Sequence, residues 1–130
     1  MTYFHGTDAD LEIGDILLPG SKLSSVRNYG RSEHVYLTTD SFAAKNAYDT
    51  AVSEALAWAR TACMVAEDEG HNEDPFAFVY IVEPIGEVES DGSEDVGEEA
   101  VRCSSARIIG VVDYETLLGY LPAYGKSYLD

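Results

Sequence analysis

The stretch DSFAAKNAYDTAVSEALAWARTACMVAE, residues 40–67, carries the clearest periodicity in this chain of 130 residues. Small residues recur at every fourth position, and a row of larger apolar residues runs beside them. These rows are Ala43, Ala47, Ala51, Ala55, Ala59 and Cys63, and Ala44, Tyr48, Val52 and Leu56. This spacing places both rows on one helix face. We therefore predict a helix from Asp40 or Ser41 to near Glu67, with its N-cap within TTDS. The row of small residues should allow another layer of the fold to pack closely against this helix.

Strand patterns lie on both sides of this helix. Before it, Asp15–Leu18 is a short apolar run and His34–Thr38 alternates in polarity. After it, FAFVYIVEP (76–84) predicts a strand buried on both faces, and ARIIGVVDY (106–114) predicts another. Between them, residues 85–99 begin as a short strand and become an acidic loop. Strands clustered around one long helix, with no linker, predict a single α+β domain over residues 1–130.

The composition is that of an ordinary globular protein. Hydrophobic residues make up 45% of the chain, and the mean hydropathy is −0.15. The sequence contains no stretch typical of a membrane span or a signal peptide, so we expect a cytoplasmic protein. The two cysteines, Cys63 and Cys103, lie far apart, and we expect both to be reduced, partly buried thiols.

The net charge of −16 is concentrated in the middle of the chain. Residues 61–100 contain thirteen acidic and no basic residues, while residues 1–60 contain eight acids and five bases. A field of this sign repels nucleic acids and anionic membrane surfaces. We therefore expect no nucleic-acid or membrane partner, whereas a small molecule or a basic protein remains compatible.

His5, in YFHGT (3–7), is the first candidate functional residue. A metal site is disfavoured because His34 and His71 form no familiar ligand spacing with it, so we expect no metal. A structural histidine would need a buried hydrogen-bond partner, and this alternative stays open. The motif HGT at a strand end favours ligand recognition, because Gly6 allows close approach to the backbone and Thr7 adds a hydroxyl.

Tyr36 and an acidic cluster are the other candidates. Tyr36 shares a strand face with His34 and Thr38, which leaves Val35 and Leu37 for the core. On this pattern alone Tyr36 is equally consistent with a surface tyrosine. The acidic cluster follows VYIVEP and comprises Glu83, Glu87, Glu89, Asp91, Glu94 and Asp95. Most of these are expected on the surface, but a carboxylate at a strand end can stabilise a developing cation.

Four motifs, in this order, resemble the rifamycin (rifampin) ADP-ribosyltransferases. They are YFHGT (3–7), GDILLPG (14–20), HVYLTTD (34–40) with an alanine-rich helix after it, and VYIVEPIGEVESD (79–91). The resemblance implies an ADP-ribosyltransferase-like α+β fold, in which two small splayed β-sheets form an NAD cleft and one long helix packs on the sheet. It also implies NAD as co-substrate and a rifamycin as acceptor.

The family pattern also implies roles for individual residues. His5 matches the histidine that hydrogen-bonds a ribose hydroxyl of NAD, and Gly6 matches the glycine that holds the nicotinamide carboxamide. Tyr36 matches the tyrosine that stacks on the nicotinamide ring. The catalytic acid matches Asp91, with Glu89 or Asp95 as alternatives. A carboxylate at that place would stabilise the cationic ribose as nicotinamide leaves, an effect worth about 3–4 kcal/mol.

Basic residues surround Tyr36 in the sequence although the chain as a whole is acidic. Lys22, Arg27, Arg31 and Lys45 lie near it, against Glu33 and Asp40. Arg27 or Arg31 could clamp the NAD diphosphate, because guanidinium groups bind phosphates in a bidentate manner. That they are surface bases balancing nearby acids is an equally good interpretation.

The acceptor is the least determined part of the prediction. After its acid, the family has a loop close to NPTRSYRT, where this chain has DVGEEAVRCSSARIIGVV (95–112). We expect transfer to a hydroxyl of a rifamycin-type molecule, with a protein or another metabolite as the alternative acceptor. RNA 2′-phosphotransferases share the implied fold, but they need basic residues that are scarce here. A non-enzymatic acidic inhibitor that mimics nucleic acid is a further, weaker alternative.

Overall fold

The computed structural model describes residues 1–19, 34–40, 46–90, 99–121 and 126–129. These residues form an antiparallel sheet with one long helix packed against it, which confirms the predicted α+β class. The elements are β1 (Tyr3–Thr7), β2 (Ile16–Leu17), β3 (Val35–Thr39), α1 (Ala47–Asp68), β4 (Phe78–Ile85), β5 (Glu89–Ser90), β6 (Ala100–Cys103), β7 (Ser105–Val111) and α2 (Tyr114–Leu118).

The seven strands have the order β2-β7-β4-β1-β3-β6-β5 in one hydrogen-bonded sheet. Along its whole length, β1 pairs with β4. With β3 it pairs only through Tyr3 opposite Thr39 and Phe4 opposite Thr38. Two residue pairs therefore join the four strands on one side to the three on the other. The resemblance implied two small sheets, whereas the described strands form one sheet with this narrow junction.

The long helix packs on the sheet through its row of small residues. Ala51, Ala55, Ala59 and Cys63 expose no surface, as the four-residue spacing predicted. Gly6 of β1 faces this row, and a Cβ added to it would overlap the backbone carbonyl of Ala55. A helix can lie this close to a strand only where both surfaces lack bulky side chains.

The predicted start of the helix was wrong. In the structure α1 begins at Ala47, preceded by Asn46 with φ 64° and no side-chain cap, and residues 41–45 lie outside the described residues. Thr39 still belongs to β3. The Asp40 carboxylate accepts a hydrogen bond from the backbone N–H of Thr2 at 2.6 Å. Asp40 thus ties the junction between β1 and β3 together, and the residue before α1 is Asn46.

Buried residues cover both faces of the sheet. Beneath α1, Phe4 and Val79 pack with the helix alanines. On the opposite face, Leu37, Tyr80 and Ile108 belong to a second cluster. The predicted strands near residues 15–18, 76–84 and 106–114 are present as β2, β4 and β7. Strand β6 was not predicted, because its four residues follow directly on an acidic stretch that resembles a loop.

Candidate active site

His5 bridges the place where β1 and β3 stop pairing. Its Nδ1 lies 2.9 Å from the backbone carbonyl oxygen of Tyr36. Beyond Phe4, no further residue pair joins the two strands, so this side-chain bond spans the stretch where β1 and β3 are no longer paired, which we call the gap. A carbonyl oxygen can only accept a hydrogen bond, so Nδ1 must carry the proton. Two residues that the sequence placed 31 positions apart are therefore brought together.

The side chain of His5 is buried, with 7% of its surface exposed. The hydrogen-bond partner that a structural histidine needs is thus present. The same bond fixes the plane of the ring at the gap between the strands. The bond to Tyr36 therefore gives His5 a structural role, and its predicted role in NAD recognition remains a prediction.

Gly6 and Thr7, which follow His5, have clear structural roles. Gly6 admits the close approach of α1, as described above. Thr7 is fully buried, and its hydroxyl accepts a hydrogen bond from the Ala9 backbone N–H at 3.1 Å. The hydroxyl therefore stabilises the turn that leaves β1. Their predicted contacts with NAD remain predictions.

Tyr36 keeps 37% of its surface exposed, although its neighbours Val35 and Leu37 are buried as predicted. Its ring lies edge-on to the His34 ring, with centroids 6.4 Å apart. Tyr36 is thus an aromatic side chain presented to solvent, while its backbone carbonyl is held by His5.

Tyr36, Arg102 and Glu89 form one row across three strands. Arg102 of β6 is the direct partner of Tyr36 on β3 and of Glu89 on β5. Side chains of directly opposed residues project from the same face of a sheet. The Nε of Arg102 donates to Oε1 of Glu89 at 2.7 Å. The row therefore connects the exposed tyrosine to one of the predicted alternative acids.

Electrostatics support this connection. Hydrogen bonding to Glu89 raises the pKa of the Arg102 guanidinium, and the neighbouring Tyr36 phenol contributes to the same shift. The Nε2 of His34 lies 3.4 Å from the same Glu89 oxygen. The Glu89 carboxylate thus lies between an arginine and a histidine, and its charge is compensated.

Several predicted site residues fall outside the described residues. Arg27 and Arg31 belong to residues 20–33, and Asp91 and Asp95 belong to residues 91–98. Their predicted roles therefore remain predictions. In sequence, Asp91 comes directly after the last residue of β5.

Sequence reasoning missed Arg102 as a member of this site. The available signal was weak. Arg102 is the first basic residue after a run of acids, and it follows Glu89 by 13 positions. Only the pairing of β6 between β3 and β5 shows that it lies beside Tyr36.

A family model described as rifampin ADP-ribosyl transferase matches residues 3–100. The chain belongs to this family. The matched region includes β1 to β5 and ends at the first residue of β6, so the family match contains His5, Tyr36 and Glu89 but stops two residues before Arg102. Comparison with curated proteins finds no match.

The described residues contain neither a metal-binding cluster nor a membrane-spanning helix. No group of three or more His, Cys, Asp or Glu side chains among them is arranged to hold a metal ion. Neither helix in the described part of the chain combines the length and the apolar character that a membrane crossing requires.

Proposed function

We propose that this family member is an NAD-dependent ADP-ribosyltransferase that modifies a hydroxyl of a rifamycin-type small molecule. The reaction would break the bond between nicotinamide and C1 of the ribose and form a C1–O bond to the acceptor. Nicotinamide leaves, and the hydroxyl proton passes to solvent. The observation that supports this proposal best is the bond from His5 to the Tyr36 carbonyl, because it brings together two of the residues that the family pattern assigns to NAD.

We propose that the gap between β1 and β3 is the NAD cleft. Among the described residues, strand pairing joins the two halves of the sheet only at Tyr3 and Phe4, so the backbones of β1 and β3 can diverge beyond them. Such a split makes room for a flat ligand, which a fully paired sheet would exclude. In this proposal the two halves correspond to the two splayed sheets of the ADP-ribosyltransferase fold.

The groups at this gap suit the chemistry of NAD. Tyr36 offers an exposed aromatic ring, and aromatic faces stack favourably on flat heterocycles. The family pattern assigns His5 to a ribose hydroxyl of NAD, and in this proposal Gly6 contributes backbone groups for the carboxamide. Arg27 or Arg31 is proposed to hold the diphosphate, a role for which guanidinium groups are well shaped.

Asp91 is our proposed catalytic acid, in preference to Glu89. The Glu89 carboxylate already accepts from Arg102 at 2.7 Å and lies 3.4 Å from His34. An arginine at this distance weakens the ability of Glu89 to stabilise a cationic ribose, because it offsets the negative charge that the transition state needs. Asp95 is the remaining alternative.

A different acceptor, either a protein or another metabolite, is the second candidate. The family match ends at residue 100, and the chain departs from the family loop NPTRSYRT in the adjacent segment. Loops commonly determine which partner a fixed scaffold accepts. The NAD half of the reaction is therefore supported by more of the chain than the rifamycin half.

Mass spectrometry tests both halves. The purified protein is incubated with NAD and rifampicin, and a second tube without rifampicin monitors free nicotinamide. An ADP-ribose adduct on rifampicin supports the full proposal. Nicotinamide release without an adduct supports the other acceptors, and no release in either tube rejects the transferase proposal.

Matched carboxylate variants then test the acid. Asp91→Asn should lower nicotinamide release at least about a hundredfold, as loss of one preorganised electrostatic group typically does. Glu89→Gln should have a much smaller effect. If Glu89→Gln causes the large loss of nicotinamide release and Asp91→Asn the small one, Glu89 is the catalytic acid. If neither lowers the rate, Asp95→Asn becomes the next variant.

A further inference from the structure

Tyr36 stacks on a ligand at a lower cost in binding free energy if its ring is already held in one orientation. More than a third of its surface is exposed, so its neighbours in the sheet constrain it only partly. A partly exposed aromatic side chain that becomes ordered on binding costs binding free energy in proportion to the freedom it loses. Groups that hold the ring beforehand reduce that cost.

Arg102 is placed to hold this ring. It stands directly opposite Tyr36 on the neighbouring strand β6, and its side chain projects from the same face. Its Nε donates to Glu89 at 2.7 Å. The planar guanidinium fork has further N–H groups, which can donate to the phenol oxygen while Nε stays with Glu89.

Glu89 in turn holds Arg102 from the other side. It belongs to β5, a two-residue strand at the edge of the sheet that pairs only with β6 among the described strands. Its carboxylate also offsets the positive charge of Arg102. A cationic nicotinamide ring stacked on Tyr36 would therefore meet a neutral pair rather than an uncompensated arginine.

We propose that Arg102 is a positioning residue for NAD recognition, which fixes the Tyr36 phenol while Glu89 fixes Arg102. This inference rests on the proposed function, because it assigns a helper to the NAD-binding tyrosine. Arg102 itself need not touch NAD, and it lies outside the region that the family model matches.

Steady-state nicotinamide release, with NAD varied, tests the inference. Arg102→Gln removes the holding group, and Tyr36→Phe removes the phenol oxygen but keeps the ring. Each should raise KM for NAD about threefold to tenfold, the range expected for releasing one side chain. The value of kcat should change less than KM. The double variant should be no worse than either single variant, because both would remove the same proposed contact.

Further variants control for charge and for folding. Arg102→Lys keeps the charge but lacks the planar fork, so it should also raise KM. Glu89→Gln should raise KM to a smaller degree. Arg107→Gln is the matched control, because Arg107 is an exposed arginine on β7 opposite Glu83, away from this row. It should leave both constants unchanged, and circular dichroism should show that all variants are folded.

Three results would overturn the inference. KM could stay unchanged in folded Arg102→Gln, the effects of Arg102→Gln and Tyr36→Phe could multiply in the double variant, or Arg102→Lys could restore the normal KM. In each of these cases, nicotinamide release by the wild-type protein still supports the proposed function. Absence of nicotinamide release from the wild type rejects the proposed function itself, and the inference with it.

Discussion

The imidazole Nδ1 of His5 and the backbone carbonyl of Tyr36 lie 2.9 Å apart across the gap between β1 and β3. The two strands share only two residue pairs. This side-chain bond therefore continues the connection between the two halves of the sheet beyond the point where backbone pairing stops. One residue thus contributes both to the fold and to the proposed site.

Replacement of His5 should affect both of these roles. His5→Ala removes this partly buried hydrogen bond to the Tyr36 carbonyl, so we expect a loss of about 0.5–1.5 kcal/mol in the free energy of unfolding. Nicotinamide release should fall at the same time. Urea unfolding and the nicotinamide assay measure the two effects. His71→Ala is the control, because His71 is an exposed turn residue. Wild-type stability and activity in His5→Ala would contradict both roles.

Gly6→Ala should be among the most damaging single-methyl substitutions in the chain. The new Cβ would overlap the Ala55 carbonyl, and neither backbone can move without separating α1 from β1. We expect destabilisation at or above the upper end of the usual 1–3 kcal/mol for overpacking. Gly110→Ala is the matched control on a strand, because its Cβ would lie 3.4 Å from the flexible end of Ile81. Equal urea midpoints for the two variants would refute this packing role.

Tyr80→Phe should loosen the segment that follows β1. The Tyr80 hydroxyl accepts from the Leu11 N–H at 2.7 Å and donates to the Ala9 carbonyl at 2.9 Å. Its loss leaves buried backbone groups unpaired, so we expect a loss of about 1–3 kcal/mol in the free energy of unfolding. Hydrogen exchange at Leu11 should become faster. Tyr114→Phe, at an exposed position, is the control. An unchanged exchange rate at Leu11 would show that the hydroxyl does not hold this segment.

Stability should decline in alkali from about pH 9. Burial raises the pKa of the Cys63 thiol from 9.0 to about 12, and burial raises the pKa of Tyr80 from 10.0 to about 12. Above the unfolded-state value the unfolded chain loses the proton while the folded protein keeps it. The stabilisation is therefore complete below pH 9 for Cys63 and below pH 10 for Tyr80, and it is lost as the pH rises towards about 12.

Cys63→Ala tests the thiol contribution to this decline. While Cys63 is ionised only in the unfolded state, it contributes a slope of about 1.4 kcal/mol per pH unit. Between pH 9 and 12, the free energy of unfolding of the variant should therefore fall less steeply with pH than that of the wild type. A lower stability at pH 7, caused by the small cavity that alanine leaves, does not affect this comparison of slopes. Urea unfolding at several pH values in the presence of a reductant measures the slopes. Parallel curves for variant and wild type would contradict the assignment.

Much of the fold follows from local patterns. The four-residue spacing of alanine predicted α1 and its buried face, because residues four positions apart lie on the same face of a helix. The apolar run around Val79 likewise predicted β4. The start of α1 could not be predicted, because Asp40 bonds to Thr2, the residue before β1, and no local pattern contains that contact.

The candidate site likewise contains residues that the sequence suggested and one, Arg102, that it did not. The family resemblance predicted roles for His5, Tyr36 and the acids around Glu89, and these roles remain predictions. Arg102 was not predicted, because its importance depends on β6, four residues whose local pattern is weak. The position of β6 between β3 and β5 is a property of the sheet order, and long-range pairing determines that order.

The sequence by itself therefore determined the α+β class, the long helix, the main strands and the family. Each of these depends on periodicity or on a short motif, and both are local. Only the tertiary structure decided that β1 and β3 share two residue pairs, that Gly6 faces the Ala55 carbonyl, and that Arg102 lies between Tyr36 and Glu89. The physical reason is that these contacts join residues far apart in the chain, whose proximity results from the packing of the whole sheet against the helix.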